Sequence, residues 1–545
     1  MSIYDQDADK AQQQLDKISP SMCYAKWSQV SMHLTNGMTH SCYHPPTHKV
    51  PLEELEKNIT ALHNTEEKKE QRRLMLKGER PEGCSYCWNI EDQGDRSDRI
   101  YRSGEYWAQE SRQDILDAGA SGNINPRYVE VNFNQACNFK CSYCSPHLST
   151  AWQEEIDEHG EYPTVAPHNN VDSLRNKNLM PLKVAQDENP YVTAFWKWWP
   201  DMYKTLRVFR MTGGEPLMDK NTFKVMEYVL DNPNKDLELS ITTNMCPVND
   251  VLFDRFIGLL KQLDNVEHSA EVYVPDPYDG TDWQTWDHYI ISADAKRYHD
   301  SELPSIEREE IKQTFLQIGQ CEEQGDNSYT YEYKYNDKAY HNFSVFVSLD
   351  GWGQQAEYIR HGMDFNKVWN NVNRFLDETH HTSINFINTF NCLSLPSLKE
   401  FLEGVLELRK KWNKSVQYAL GWETPEQRIW FDIPLLRNPA WQSIQILPDD
   451  YQDYLIEAIQ FMEQNKANEE FVDYEGFKDF EIEKVKRNLE HMKKELSKDK
   501  LLRDRADFSK FFSEHDRRRN TDFLATFPEM SQFWFMCEEA EAIYE

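Results

Sequence analysis

The chain has 545 residues, with 92 acidic and 60 basic side chains and a net charge of −32. A surface this acidic repels phosphate backbones on average, which argues against general nucleic-acid binding. No run of about eighteen apolar residues is present to cross a membrane, and the 39% hydrophobic content suits a globular protein with more than one packed unit.

Met1–Lys17 is polar and acidic and lacks the basic start and apolar core of an export signal, so we expect a cytoplasmic protein. Residues 1–100 hold four cysteines, Cys23, Cys42, Cys84 and Cys87, around a charged stretch. Helical spacing runs over Glu53–Ala61 and Glu66–Leu76, with Gly78 as a stop. A polar linker, Gly119–Asn125, follows.

From 125 to 395 strands and helices alternate. Tyr128–Phe133, Leu206–Met211, Leu237–Thr243, Phe343–Leu349 and Ser383–Phe390 read as strands. Phe223–Leu230, Leu252–Leu263 and Val368–Leu376 read as the helices between them. Such alternation predicts an α/β fold on a parallel sheet, whose chemistry gathers at the carboxyl ends of the strands. Residues 268–342, rich in Asp, Tyr, Trp and Glu, interrupt the rhythm. They are an insertion, either a lid over substrate or a plain surface excursion. Residues 396–545 are mostly helical, with helices expected at Leu398–Trp412 and Tyr451–Asn465 and a long charged one at Phe480–Leu502. Arg517–Arg519 is too short a cluster to argue for nucleic acid.

Eleven cysteines in a reducing compartment favour metal binding over disulfides. Cys246, Cys321, Cys392 and Cys537 stand alone and read as small core residues. The remaining seven lie before residue 145. Cys137, Cys141 and Cys144 share one loop directly after the strand Tyr128–Phe133. Three thiolates suit an iron–sulfur cluster and leave one iron open, whereas a closed structural site wants four ligands. A zinc knuckle that borrows His147 is the competing reading of these three residues. Met211-Thr-Gly213-Gly214-Glu215-Pro216 follows the next strand, its glycines permitting close approach of backbone and its carboxylate suited to an ammonium group.

The spacing CxxxCxxC together with GGEP resembles the radical S-adenosylmethionine (SAM) superfamily. The resemblance implies a partial (β/α)6 barrel over 125–395. It also implies a catalytic [4Fe–4S] cluster on Cys137, Cys141 and Cys144, with Tyr143 beside the adenine and Gly213, Gly214, Glu215 and Pro216 at the methionine amino group. Thr243 and Asn244 match a polar strand end near the cofactor. Ser348 and Asp350 match the strand end that reaches the ribose and substrate. Arg360 matches an arginine that pairs with the SAM carboxylate. The implied reaction is reductive cleavage of SAM to a 5′-deoxyadenosyl radical that takes a hydrogen atom from substrate. No general acid or base is assigned; Asp294 and His361 are each read as structural.

Cys23, then Gly37-x4-Cys42, then Cys84-Ser-Tyr-Cys87 resembles the twitch and SPASM extensions of the same superfamily, here placed before the barrel rather than after it. That resemblance implies an auxiliary [4Fe–4S] cluster closed by four ligands, a four-cysteine zinc site being the alternative from the residues alone. Enzymes with such extensions often modify peptides or proteins, so the expected substrate is a peptide or protein side chain. A small metabolite or RNA, or a non-catalytic zinc protein, are the rival readings. The expected electron source is a one-electron donor such as flavodoxin or ferredoxin.

Overall fold

The structure, a computed structural model, describes residues 3–544 except 235, 265–266, 276–288, 293–295, 299–318, 325–327, 337–341, 380–381, 413–414, 418–422, 426 and 468–474. Its main sheet has nine strands. Seven of them run parallel and follow chain order across the sheet. They are β1 (Gln29–His33), β4 (Tyr128–Asn132), β6 (Val208–Thr212), β7 (Glu238–Thr243), β13 (Asn342–Ser348), β15 (Ser383–Ile387) and β18 (Ile429–Asp432). The hairpin strands β2 (Met38–His40) and β3 (His48–Lys49) pair antiparallel beyond β1. The fold is therefore mixed α/β on a parallel sheet, and the sheet takes in three strands before residue 100, one of them parallel, and one after 395.

The strands form where β-branched and aromatic residues alternate with polar ones. In β13, Phe343, Val345 and Val347 are buried while Ser344, Phe346 and Ser348 are half-buried. The buried set joins Val129, Val131, Phe209, Met211, Leu239, Ile241, Ile384 and Phe386 in one apolar core under the crossover helices. Those helices include Pro190–Tyr203, Lys220–Asp231, Asp250–Asp264, Phe365–Glu378 and Leu398–Trp412. Parallel neighbours need such crossovers, because a hairpin cannot join them. The opposite face is polar. Glu130 on β4 lies 3.8 Å from Arg210 on β6, which also donates to Thr242 on β7 at 3.1 Å.

Between β7 and β13, the insertion builds its own antiparallel sheet. Its strands are β8 (Glu267–Pro275), β9 (Tyr289–Ser292), β10 (Lys296–Tyr298), β11 (Gly319–Gln324) and β12 (Ser328–Asn336), in the order β10-β9-β8-β12-β11. Asp294 lies outside the described residues, and so does the side chain of Cys321. Cys246, Cys392 and Cys537 are buried core residues.

Three expected elements differ. The stretch Glu53–Ala61 divides into the helix Leu52–Lys57 and a 3-10 turn Ile59–Leu62, because Asn58 turns extended and its side chain caps Thr60 N–H. Ser383–Phe390 stops as a strand at Ile387, and Phe390 keeps only a bridge to Leu435. The long helix expected at Phe480–Leu502 is two helices, Asp479–Met492 and Lys498–Arg519. Gln445 donates to the carbonyls of His491 (3.3 Å) and Lys494 (3.0 Å), which satisfies the end of the first, and Ser497 turns extended before the second begins. Among the described residues no helix is long and apolar enough to cross a membrane.

Candidate active site

The cysteine loop leaves the carboxyl end of β4 and is fixed from four directions. On the β6 side it meets the turn Gly213-Gly214-Glu215-Pro216. Glu215 N–H donates to Ala136 O at 2.6 Å and Gly214 N–H to Asn134 O at 3.3 Å. A Cβ on Gly214 would stand 2.4 Å from Ala136 O, and one on Gly213, whose φ is +139°, 2.8 Å from Asn134 O. The two glycines thus admit the cysteine loop itself, a closer approach than any Cβ tolerates. Gly213 also remains exposed on its outer side.

From the β13 side comes a two-stranded ribbon. β5 (Lys140–Cys141) pairs antiparallel with β14 (Arg360–His361), setting Arg360 opposite Cys141. Ser142 N–H extends the ribbon to Ile359 O at 2.7 Å. From the helix Thr150–His159, Trp152 Nε1 donates to Cys141 O (2.9 Å), and Ser149 on the N-cap donates to Phe139 O (3.0 Å). From the end of the helix Lys498–Arg519, Arg519 donates to Lys140 O at 2.7 Å.

Inside this frame the three thiols act on one another. Burial raises Cys137 to about 12, with the Cys141 charge adding to it. Burial also raises Cys144, followed by Cys141 and Cys137, and raises Cys141 against the pull of Arg360. Thiols so raised bind as thiolates only when a metal takes the proton's place. Arg360 Nη1 is 3.5 Å from Cys141 Sγ.

Arg360 is buried and already holds a carboxylate. Its Nη2 donates to Asp350 Oδ1 at 3.0 Å, and its Nε lies 2.7 Å from Oδ2. Asp350 also accepts from Tyr143 OH (2.7 Å) and Thr389 N–H (2.7 Å). Tyr143 therefore reaches across the loop to the β13 strand end, and its ring lies 5.7 Å from the Arg360 guanidinium.

Glu215 is equally engaged. It accepts from Thr243 Oγ1 (2.7 Å), Asn244 N–H (2.7 Å) and Leu217 N–H (2.9 Å), while burial lifts it to about 7 against those donors. Pro216 opens the short turn that follows, and Asn244 donates to Asn138 Oδ1 in the cysteine loop at 3.0 Å. Ser348 ends β13, half-buried, in register with Ile387. Thus Tyr143, the glycine turn, Thr243, Asn244, Asp350 and Arg360 all gather on the cysteine loop.

His147 turns to the Ser145 hydroxyl at 3.1 Å, and burial lowers it to about 4. His361 sits in the ribbon and is lowered by burial to about 4 as well. The sequence reading passed over Glu130, Arg210, Glu155 and Arg519. A charged residue at an inward position of an alternating strand, as in Val129-Glu130-Val131, was the available signal for the first two. Nothing local marks the other pair.

The N-terminal cysteines also converge. Cys23, Cys42, Cys84 and Cys87 line one pocket with Lys26, Tyr43, His44, Asp98, Arg99 and Arg102. Burial raises Cys23 to about 12, reinforced by the other three thiols, and raises Cys87 to about 11. Gly37, read in sequence as part of the cluster motif, makes room for the Tyr191 ring: a Cβ there would lie 2.0 Å from it. Tyr43 bonds the hydroxyl of Tyr128, the first residue of β4, whereas the loop of Cys137, Cys141 and Cys144 follows Asn132, the last. The two cysteine groups thus flank opposite ends of one strand, about 13 Å of extended chain.

Among the described residues, no three His, Cys, Asp or Glu side chains converge closely enough to share one metal ion. A tetrahedral zinc with thiolates at about 2.3 Å would need sulfurs about 4 Å apart. A cluster whose irons each take one thiolate lets them stand wider. The soft thiol donors of both sets suit an iron–sulfur core, and in the N-terminal pocket His44 is already engaged by Asp98 at 2.6 Å.

No family model matches the chain. GTP 3′,8-cyclase of Sulfurimonas denitrificans is 27% identical over 117 residues, covering 22% of this chain and 27% of the relative. That of Campylobacter jejuni is 28% identical over 145 residues, covering 26% and 36%. The chain spans about a third or less of the length of these curated relatives. Among solved structures, Streptococcus suis SuiB aligns over 83% of this chain and 70% of its own, at 10% identity and a TM-score of 0.31. A TM-score that low does not establish a shared fold.

Proposed function

We propose that the chain is a radical SAM enzyme with its catalytic [4Fe–4S] cluster on Cys137, Cys141 and Cys144. The observation that carries this reading is the sewing of the cysteine loop after β4 to the Gly213-Gly214 turn after β6 and to Arg360 beyond β13, at the carboxyl ends of strands in one parallel sheet. When bound, the cluster and SAM supply a one-electron cleavage of the sulfonium and, from it, a hydrogen-abstracting radical. This chain's residues hold and orient. Gly213, Gly214, Glu215 and Pro216 would receive the methionine amino end. Thr243, Asn244, Ser348 and Tyr143 would line the nucleoside. Arg360, steadied by Asp350, would face the carboxylate as well as Cys141.

Cys23, Cys42, Cys84 and Cys87 would hold a second [4Fe–4S] cluster, closed by four thiolates and suited to electron transfer. The proposed substrate is a peptide or protein side chain, supported by the likeness of the N-terminal cysteine pattern to twitch and SPASM extensions. The proposed partner is a one-electron donor of the flavodoxin or ferredoxin kind. A small-metabolite substrate is the second reading, favoured by matched relatives that are named for acting on GTP.

Anaerobically reconstituted protein is expected to bind about eight irons in two four-iron clusters. With dithionite and SAM it is expected to release 5′-deoxyadenosine, and Cys141→Ala to abolish that release while keeping the N-terminal iron. Reconstituted protein that binds zinc alone and releases no 5′-deoxyadenosine would sink the reading.

A further inference from the structure

Behind the four-cysteine pocket the fold buries basic side chains that, among the described residues, have no carboxylate partner. Lys26 lines the pocket, is 2% exposed, and donates to a neutral partner, Gln71 Oε1, at 2.7 Å. Lys68 is fully buried. It donates to Gln29 O (3.2 Å) and to His63 Nδ1 (2.7 Å), and His63 Nε2 in turn lies 2.6 Å from Trp27 O. Arg72 Nη2 also lies 3.2 Å from that Nε2, and burial, Lys68 and Arg72 hold His63 well below its ordinary value. Arg72, also fully buried, donates to Asn64 Oδ1 (3.0 Å) and Lys26 O (3.3 Å). Among the described residues no carboxylate forms an ion pair with any of the three. Arg99 at the same pocket does have one, Glu91, at 2.8 Å.

The carboxylate that Lys26 influences is Glu67, on the exposed side and 3.7 Å from His48; Asp98 is taken by His44 at 2.6 Å. Burying a charge without a partner costs several kcal/mol, so such groups normally have counter-ions. Burial, Arg72 and Lys26 hold Lys68 well below its ordinary value, against the pull of the Cys42 sulfur.

We infer that Lys26, backed by Lys68 and Arg72, is the built-in counter-charge of a thiolate-bound cluster in this pocket and sets its reduction potential upward. The inference rests on the reading of the four N-terminal cysteines as a cluster site. Four thiolates outweigh the charge of an iron–sulfur core, so the occupant is a net anion. One-electron reduction adds another negative charge and leaves bonds and protons unchanged. A buried cation beside the sulfurs therefore stabilises the reduced form more than the oxidised one.

The test uses the full chain with Cys137, Cys141 and Cys144 replaced by Ala, so that iron content and the EPR signal of the reduced cluster report on the N-terminal pocket alone. About four irons are expected. Lys26→Met in that background is expected to keep the iron and lower the reduced-to-oxidised ratio at a fixed poise about tenfold, which for one electron is about 59 mV. Lys26→Arg is expected to hold the unsubstituted potential. Lys68→Met, one layer back, is expected to give a smaller shift in the same direction and serves if Lys26→Met does not fold. Intact iron with an unmoved potential in both Met variants would overturn the inference and leave the cluster reading standing. No iron in the starting triple variant would overturn the cluster reading itself, and this inference with it.

Discussion

Between the two glycines of the site, Gly214 tolerates less. A methyl group there would press on backbone, Ala136 O at 2.4 Å, which cannot swing aside as a side chain can. Gly214→Ala is therefore expected to push the cysteine loop out of place and to lower reconstituted iron by about half, the N-terminal share remaining; iron quantitation on the purified variant checks this. Asp350 neutralises buried Arg360 and accepts from Tyr143 and Thr389. Asp350→Ala leaves a buried guanidinium unpaired and is expected to cost about 3–5 kcal/mol in denaturant unfolding. Tyr143→Phe removes one hydrogen bond to a charged acceptor and is expected to cost about 1.5–3 kcal/mol. Cys137, Cys141, Cys144 and the glycine turn were legible because thiol spacing and paired glycines are rare and local. What they would face was not: Glu215, Asp350 and Arg360 are engaged by partners as far as 219 residues away, and pairings across such spans leave no mark in local spacing.

Among the elements, the helix Lys498–Arg519 carries more of the site than its charged sequence suggests. Arg519 grips Glu155 with two nitrogens at 3.0 Å and reaches Lys140 O between the cysteines. Lys140 and Tyr162 close on the same carboxylate at 2.7 and 2.6 Å. A fragment of alternating Lys, Arg, Glu and Asp reads as a solvated face, and exposed Arg517 does bond its helix neighbour Glu514; two residues later the same run turns inward. Burial pushes Glu155 up, yet the Arg519 fork, Lys140 and Tyr162 outweigh it and hold the carboxyl at about 2 against an ordinary 4.5. A depressed carboxyl adds stability above its unfolded value and loses it as the pH falls toward the folded one. The contribution, on the order of 3 kcal/mol, is expected to disappear between about pH 4.5 and pH 2 in acid unfolding. Glu155→Gln is expected to flatten that part of the profile. An acid limb of the same slope in both proteins would rule this out.

For the molecule as a whole, the arrangement of β1 decides what can be separated. The sequence divides at about residue 100, where the cysteine-bearing segment gives way to the βα rhythm, and the alternation correctly announced a parallel sheet. The alternation does not reveal that Gln29–His33 pairs in register with Tyr128–Asn132 and becomes an interior strand. A two-residue period marks a strand but not its neighbour. Residues 1–100 alone would keep β1 without its parallel partner, and a chain begun at residue 101 would expose the edge of β4. The expected outcome is that neither piece folds: the first shows little regular structure by circular dichroism, and the second aggregates. A cooperative transition from either piece by itself would contradict the shared sheet.

The pairing of β7 with β13 has a further consequence in time. These strands lie side by side, yet Thr243 and Asn342 are separated by the whole five-stranded insertion. At ribosomal speeds of about 5–20 residues per second, roughly 5–20 s pass between the two strands leaving the exit tunnel. Throughout that interval the finished half-sheet presents β7 as a bare hydrogen-bonding margin, which other nascent chains can template upon.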